Sequence, residues 1–184
     1  MSDNQETYPI EIGGVKRDLR LFEIRPGLKI AILNILGDTE LVQACALELS
    51  KKLDGDKYDV LVTAEAKSIP LAHALSVMTG KPYVILRKSY KVYMGEAIQA
   101  KSVSITTGKP QTLILDEKDR SLLKGARTAI VDDVISTGST LEGMRKILDK
   151  AGAEVTVEAA VFTEGDPDQW PNIVALGHLP VFTG

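Results

Sequence analysis

The sequence predicts an α/β fold, a mostly parallel sheet flanked by helices, and three observations carry that reading. Short, largely apolar runs at 59–63, 82–86, 129–131 and 155–162 read as strands of a buried sheet. Stretches of roughly 10–15 residues with helical spacing alternate with them, the pattern of strand–helix–strand units. Turns rich in glycine, hydroxyl and charged residues follow several of the runs, at the carboxyl ends of the strands, where sheets of this kind bind ligands.

The elements follow in chain order. Ile10, Ile12 and Val15 alternate around a Gly13-Gly14 turn, and 19–22 pairs back as a hairpin. Pro26-Gly27 turns the chain into a strand over 28–34. Asp38 or Thr39 caps a helix whose apolar face is Leu41, Val42, Cys45, Ala46, Leu49 and Leu53, with Lys51 and Lys52 in the last turns and Gly55 ending it. After the strand at 59–63, Ser68 opens a second helix, Pro70 sits in its first turn and Gly80 stops it. The strand at 82–86 leads into a polar segment over 88–111, with weak alternation at Val103 and Ile105 and then Leu113-Ile114-Leu115. The strand from Ala129, a helix over 139–151 ending at Gly152, and the strand at 155–162 complete the pattern.

Composition narrows the function. At 184 residues, with 44% hydrophobic and 26% charged residues, the chain suits one soluble domain over 1–184. A net charge of −3 argues against a free-standing nucleic-acid binder. The single cysteine, Cys45, suits a reducing compartment and falls on an apolar helical face, where packing is its role. The start, Met1-Ser2-Asp3-Asn4-Gln5-Glu6, lacks a signal peptide's basic and apolar regions, and no run approaches the roughly 18 apolar residues of a span. The expectation is a cytoplasmic protein with no membrane partner. There is no Gly-x-x-x-x-Gly-Lys-Ser/Thr and no Gly-x-Gly-x-x-Gly, which sets aside nucleotide triphosphatases and dinucleotide binders. His73 and His178 sit among apolar residues and read as packed or capping groups.

Three strand ends carry chemistry. Asp132 and Asp133 close an apolar strand, where two carboxylates can accept hydrogen bonds from a vicinal diol. The turn that follows, Ser136-Thr137-Gly138-Ser139-Thr140, opens a helix, so its N–H groups and hydroxyls form an anion cradle in which the helix dipole favours a phosphate. Gly138 lets backbone approach the anion closely. Glu65-Ala66-Lys67-Ser68 is a second strand-to-helix turn that suits another anion, and equally suits an ordinary capped helix with a solvated Lys67. Arg87-Lys88-Ser89-Tyr90-Lys91 places three cations just beyond a buried strand, a position that favours a polyphosphate over plain surface solvation.

The run Val131-Asp132-Asp133-Val134-Ile135-Ser136-Thr137-Gly138-Ser139-Thr140 resembles the phosphoribosyl-pyrophosphate (PRPP) signature of type I phosphoribosyltransferases. The resemblance extends over roughly 24–165. The Arg25-Pro26-Gly27-Leu28 segment and Glu65-Ala66-Lys67 are similar to the amino-terminal stretch and pyrophosphate loop of adenine phosphoribosyltransferases, with Lys67 where arginine is usual. The stretch from Lys67 to Ala72 and on to Ile105 is also similar to the effector domain of the bacterial purine-operon repressor, and xanthine phosphoribosyltransferase belongs to the same group.

The resemblance implies the type I fold with a flexible loop over 92–112 and a small hood from about 8–36 and the C-terminal tail. It implies Asp132 and Asp133 as catalytic residues. PRPP would be bound by Val134, Ile135, Ser136, Thr137, Gly138, Ser139 and Thr140 around the 5-phosphate, and by Glu65, Ala66, Lys67, Ser68, Arg87, Lys88 and Lys91 around the pyrophosphate. Mg²⁺ is the implied cofactor, held mainly through ligand oxygens and water rather than by a protein cage. The expected function is purine salvage, transfer of phosphoribose from PRPP to a purine base with adenine the first choice, in a homodimer. A PRPP- or nucleotide-sensing regulator and a 6-oxopurine, xanthine or orotate phosphoribosyltransferase are the alternatives. Two departures bear on the base. The loop stretch Ser104-Ile105-Thr106-Thr107-Gly108 has no carboxylate where adenine enzymes carry a Glu-Tyr-Glu-like run, and Ala31 stands in place of an arginine.

Overall fold

The computed structural model describes residues 6–103 and 110–184. Eleven strands and four α-helices follow in the order β1 (Thr7–Ile12), β2 (Val15–Arg25), β3 (Leu28–Ile32), α1 (Thr39–Lys52), β4 (Val60–Ala64), α2 (Ile69–Thr79), β5 (Tyr83–Leu86), β6 (Ile98–Val103), β7 (Pro110–Leu115), α3 (Arg120–Leu123), β8 (Arg127–Ile135), α4 (Ser139–Ala151), β9 (Glu154–Glu164), β10 (Val174–Leu179) and β11 (Val181–Thr183) among the described residues. The central sheet has the order β10-β9-β8-β4-β5, and every neighbouring pair in it is parallel. The α/β class read from the sequence is therefore the one found.

The sheet separates two cores. On one face Leu41, Cys45, Leu49, Leu71 and Leu75 from α1 and α2 pack with Leu61, Ala129, Val131 and Val161. On the other, Leu141, Met144, Ile147 and Leu148 from α4 pack with Val60, Val62, Ile130 and Ala160. Burial on both faces explains why β4 and the 129–131 stretch of β8 read as apolar runs. Cys45 is fully buried, and burial pushes its thiol up to about 12, which leaves it an inert packing group.

A second sheet, β1-β2-β3-β11, is antiparallel and lies against α1. Gly13 and Gly14 turn β1 into β2 with φ of 55° and 83°, and Ile12 pairs with Val15 across that turn. Asp38 caps α1 by accepting the Leu41 N–H at 3.1 Å. The guanidinium of Arg17 on β2 grips the same carboxylate at 2.7 and 2.8 Å and holds it below the usual carboxylate range. That pair fixes the second sheet to the start of α1.

Several boundaries differ from the sequence reading. Helix α1 ends at Lys52 rather than Gly55, because Leu53 turns extended to bury its side chain. Strand β8 runs through the two carboxylates to Ile135, since Val134 and Ile135 still pair with Phe162 and Thr163 of β9. The described part of 92–112 holds a short 3-10 turn, Val92–Met94, and one side of a hairpin, β6 paired with β7, rather than an irregular loop. Leu113 and Leu115 bury that hairpin against α4. Ser104-Ile105-Thr106-Thr107-Gly108 lies outside the described residues. Strands β10 and β11 were not anticipated.

Candidate functional site

The three predicted strand ends belong to adjacent strands, β8, β4 and β5, at one edge of the central sheet. Hydrogen bonds join them in series. Ser68, at the start of α2, donates its hydroxyl to Asp132 Oδ1 at 2.8 Å and lies 3.3 Å from Asp133 Oδ1. The Ser68 hydroxyl also accepts the Asp133 backbone N–H at 2.9 Å. It makes no capping bond to α2, so its side chain serves the acidic pair rather than the helix end. On the far side of the same turn, Glu65 Oε2 accepts from Arg87 Nε at 2.6 Å, and its other oxygen accepts the Lys88 N–H.

Electrostatics separates these carboxylates. Asp132 is buried, and that burial, with the charge of Asp133 next to it, raises its carboxyl well above the usual range, against the pull of the Ser68 hydroxyl. Burial would raise Glu65 as well, but the Lys88 N–H and the Arg87 guanidinium outweigh it and hold this carboxyl below the usual range. Glu65 is therefore an anchor for the basic strand end, a carboxylate that neutralises Arg87 and fixes the Lys88 backbone. Lys91 stands at the start of the turn over Val92–Met94 and is exposed.

The turn 65–68 presents donors. The Glu65–Ala66 peptide is cis. Among the described residues, the N–H groups of Ala66, Lys67 and Ser68 have no acceptor, which leaves a row of donors at the start of α2. Lys67 reaches back, and its Nζ donates to the Leu33 carbonyl at 3.3 Å, tying this turn to the segment after β3.

The fourth element is the turn at the start of α4. Asp132, Val134, Ile135, Ser136, Thr137, Gly138, Ser139, Thr140 and Leu141 line a cavity of about 60 Å³. Gly138 takes the left-handed conformation at φ 75° and precedes the first turn of α4, where N–H groups lack intrahelical partners. Thr137 and Ser139 hydroxyls lie 3.2 Å apart. The cavity is concave, donor-rich and dipole-favoured, the physical requirements for a phosphate.

Two residues near this edge were missed in the sequence. Glu164 ends β9 next to the strand carrying Asp132; it is buried, has no side-chain hydrogen bond among the described residues, and burial raises its carboxyl. A charged residue closing an apolar run was the available signal. Trp170, which follows, gave no periodic signal at all. His178 is a structural clasp, its Nδ1 3.0 Å from the Thr163 hydroxyl and its Nε2 3.1 Å from the Gly165 carbonyl. His73 stacks edge-on against Tyr83.

No helix among the described residues is long and apolar enough to cross a membrane. The family model for the phosphoribosyl transferase domain matches residues 32–173. The chain is 38% identical over 128 residues to a hypoxanthine/guanine phosphoribosyltransferase of Methanococcus voltae, an alignment that takes in 70% of this chain and 64% of that protein. It is 31% identical over 161 residues to the purine biosynthesis transcriptional repressor PurR of Bacillus subtilis, covering 85% of this chain and 56% of the repressor. The chain thus spans less than two thirds of the length of these relatives. The fold is also that of an adenine phosphoribosyltransferase from Thermoanaerobacter pseudethanolicus, with a TM-score of 0.72 and 22% identity over 87% of this chain and 95% of that one. The family model alone takes in more than half of the chain, and the chain belongs to the phosphoribosyl transferase domain family.

Proposed function

We propose that this chain is a purine phosphoribosyltransferase that transfers phosphoribose from PRPP to a purine base, giving a nucleoside monophosphate and pyrophosphate. The observation that carries the proposal is the hydrogen-bonded series joining Asp132 and Asp133 through Ser68, and Glu65 to Arg87 and Lys88, beside the 136–140 cradle. In this reading the cradle holds the 5-phosphate and the acidic pair accepts the ribose hydroxyls. The pyrophosphate lies between the donors of 66–68 and the cations Arg87, Lys88 and Lys91.

The base nitrogen forms its bond to the ribose anomeric carbon as the bond to pyrophosphate breaks, and the base N–H proton passes to the departing pyrophosphate or to solvent. Positive charge develops on the ribose during that exchange. Asp132 and Asp133, beneath the diol, stabilise it electrostatically. The cations and free N–H groups stabilise the negative charge gathering on the leaving group. Mg²⁺ fits here, because two adjacent carboxylates and a polyphosphate are its usual company. When bound, it would neutralise pyrophosphate charge, held by ligand oxygens and water beside Asp132 and Asp133. The sheet β1-β2-β3-β11 is the hood over the base, and Lys67, bonded to Leu33, links that hood to the pyrophosphate turn.

The base we propose is a 6-oxopurine, supported by 38% identity to the Methanococcus voltae protein and by the lack of a carboxylate in 104–108. Adenine is the second reading, supported by the Arg25-Pro26-Gly27 segment. A PRPP-sensing regulator is the third, supported by the repressor alignment. Incubation with PRPP, Mg²⁺ and hypoxanthine, guanine, xanthine, adenine or orotate in turn, with pyrophosphate release as readout, separates them. Binding without release on any base favours the regulator. We also propose a homodimer, supported by Val77 and Met78, 72% and 43% exposed at the end of α2.

A further inference from the structure

The one tryptophan of the chain has no role in the chemistry above, yet it lies against the phosphate cradle. Trp170 follows a tight turn, Pro167–Gln169, that folds the chain back after β9. Asp166 caps that turn by accepting the Asp168 N–H at 3.0 Å, and the Trp170 carbonyl accepts the Ile173 N–H at 3.2 Å. The indole packs on the α4 side of the sheet with the second core. A Cβ placed on Gly138 would lie 2.4 Å from indole Cη2, 3.2 Å from Cζ3 and 3.3 Å from Cζ2. The six-membered edge of the ring therefore occupies the space directly over the Gly138 Cα. The indole N–H is buried with no acceptor among the described residues, and the contact with Gly138 is made by the ring's carbon edge.

We propose that Trp170 is a positioning residue for the phosphate end of the substrate. Its ring braces Gly138 in the left-handed conformation that opens α4, so the N–H groups of 136–140 are aimed before the phosphate arrives. Binding then costs less loop ordering than it would with an unbraced turn. The residue acts through Gly138 and touches no reacting atom. This proposal rests on the reading that the cradle holds the 5-phosphate of PRPP.

The test compares wild type with Trp170→Phe, Trp170→Leu and Trp170→Ala in turnover and in binding of ribose 5-phosphate. Trp170→Phe keeps a flat ring and removes an unpartnered donor, so it rescues: KM for PRPP stays within about twofold of wild type. Trp170→Ala raises KM for PRPP and weakens ribose 5-phosphate binding by about tenfold, with kcat and KM for the base changed much less. Trp170→Leu falls between. As the sole indole, Trp170 also reports directly, and its fluorescence changes when ribose 5-phosphate saturates the wild-type protein. A folded Ala or Leu variant with unchanged KM for PRPP overturns the proposal. So does an equal loss in both KM values and kcat, which marks general damage. If neither variant folds, unchanged wild-type fluorescence at saturating ribose 5-phosphate overturns it. Wild type that binds ribose 5-phosphate but turns over no base defeats the enzymatic reading instead, and leaves the binding comparison to judge Trp170.

Discussion

At Asp132 the chain keeps a carboxylate where burial and the neighbouring Asp133 both oppose its ionisation. The consequence for stability has a definite sign. A carboxyl with a raised folded value binds protons more readily folded than unfolded, so stability falls as pH rises from the unfolded value near 4 through the raised one. Asp132→Asn removes the titration, and we expect it to stabilise the fold by about 1–3 kcal/mol at pH 8, with the gain vanishing near pH 4. Thermal denaturation across that range measures it, and an equal or lower midpoint at pH 8 would contradict the assignment. In the proposed function the same pair faces the ribose diol, which is where the cost is used. Asp132→Asn with Asp133→Asn should lower kcat/KM by about 1000-fold or more while the protein remains folded, since electrostatic groups at the reacting centre carry effects of that size. Loss of cooperative unfolding in the double variant would make the pair structural. These two carboxylates and the 136–140 turn were legible from the sequence because they are contiguous, and a ten-residue run carries its own geometry. The side-chain bonds of Ser68 to Asp132 and Asp133 were not legible, because they span 64 and 65 positions and local pattern cannot show them.

At the scale of elements, the parallel sheet and its helices were legible since buried strands and amphipathic helices have distinct periods. The β6–β7 hairpin was not. Its inward side includes Ala100, too weakly apolar to mark alternation, and the docking surface that selects it is α4, distant in sequence. Strand β10 was equally hidden, with Gly177 and His178 in its middle; Gly177 leaves room for Phe162, whose ring an added Cβ would meet at 2.8 Å. The hairpin's attachment is testable. Leu113 is fully buried between β7 and α4, and Leu113→Ala should cost about 2–5 kcal/mol in urea denaturation. A cost below about 1 kcal/mol would mean that the hairpin is not packed as described.

For the whole molecule, one sheet edge gathers residues from β4, β5, β8 and two helix starts; Arg17–Asp38 ties the second sheet to α1, and Lys67–Leu33 ties the 65–68 turn to the segment after β3. Strand β11 joins the second sheet by pairing Val181 with Ile30, a long-range closure that no local signal reveals. The apolar end of α2 gives the assembly a test of its own. If the homodimer uses it, Val77→Asp should shift the sedimenting species from dimer to monomer without lowering the unfolding midpoint by more than a few degrees. A monomeric wild type would remove the proposal. The proposed function requires that the strand ends of β4, β5 and β8 form a single PRPP site and that chemistry follows binding there. Pyrophosphate release from PRPP and Mg²⁺, followed with each base for wild type and the Asp132/Asp133 double Asn variant, tests it most directly. Release with hypoxanthine or guanine by wild type, and none by the double variant, is the predicted result. No release with any base, or equal release by both proteins, would contradict it.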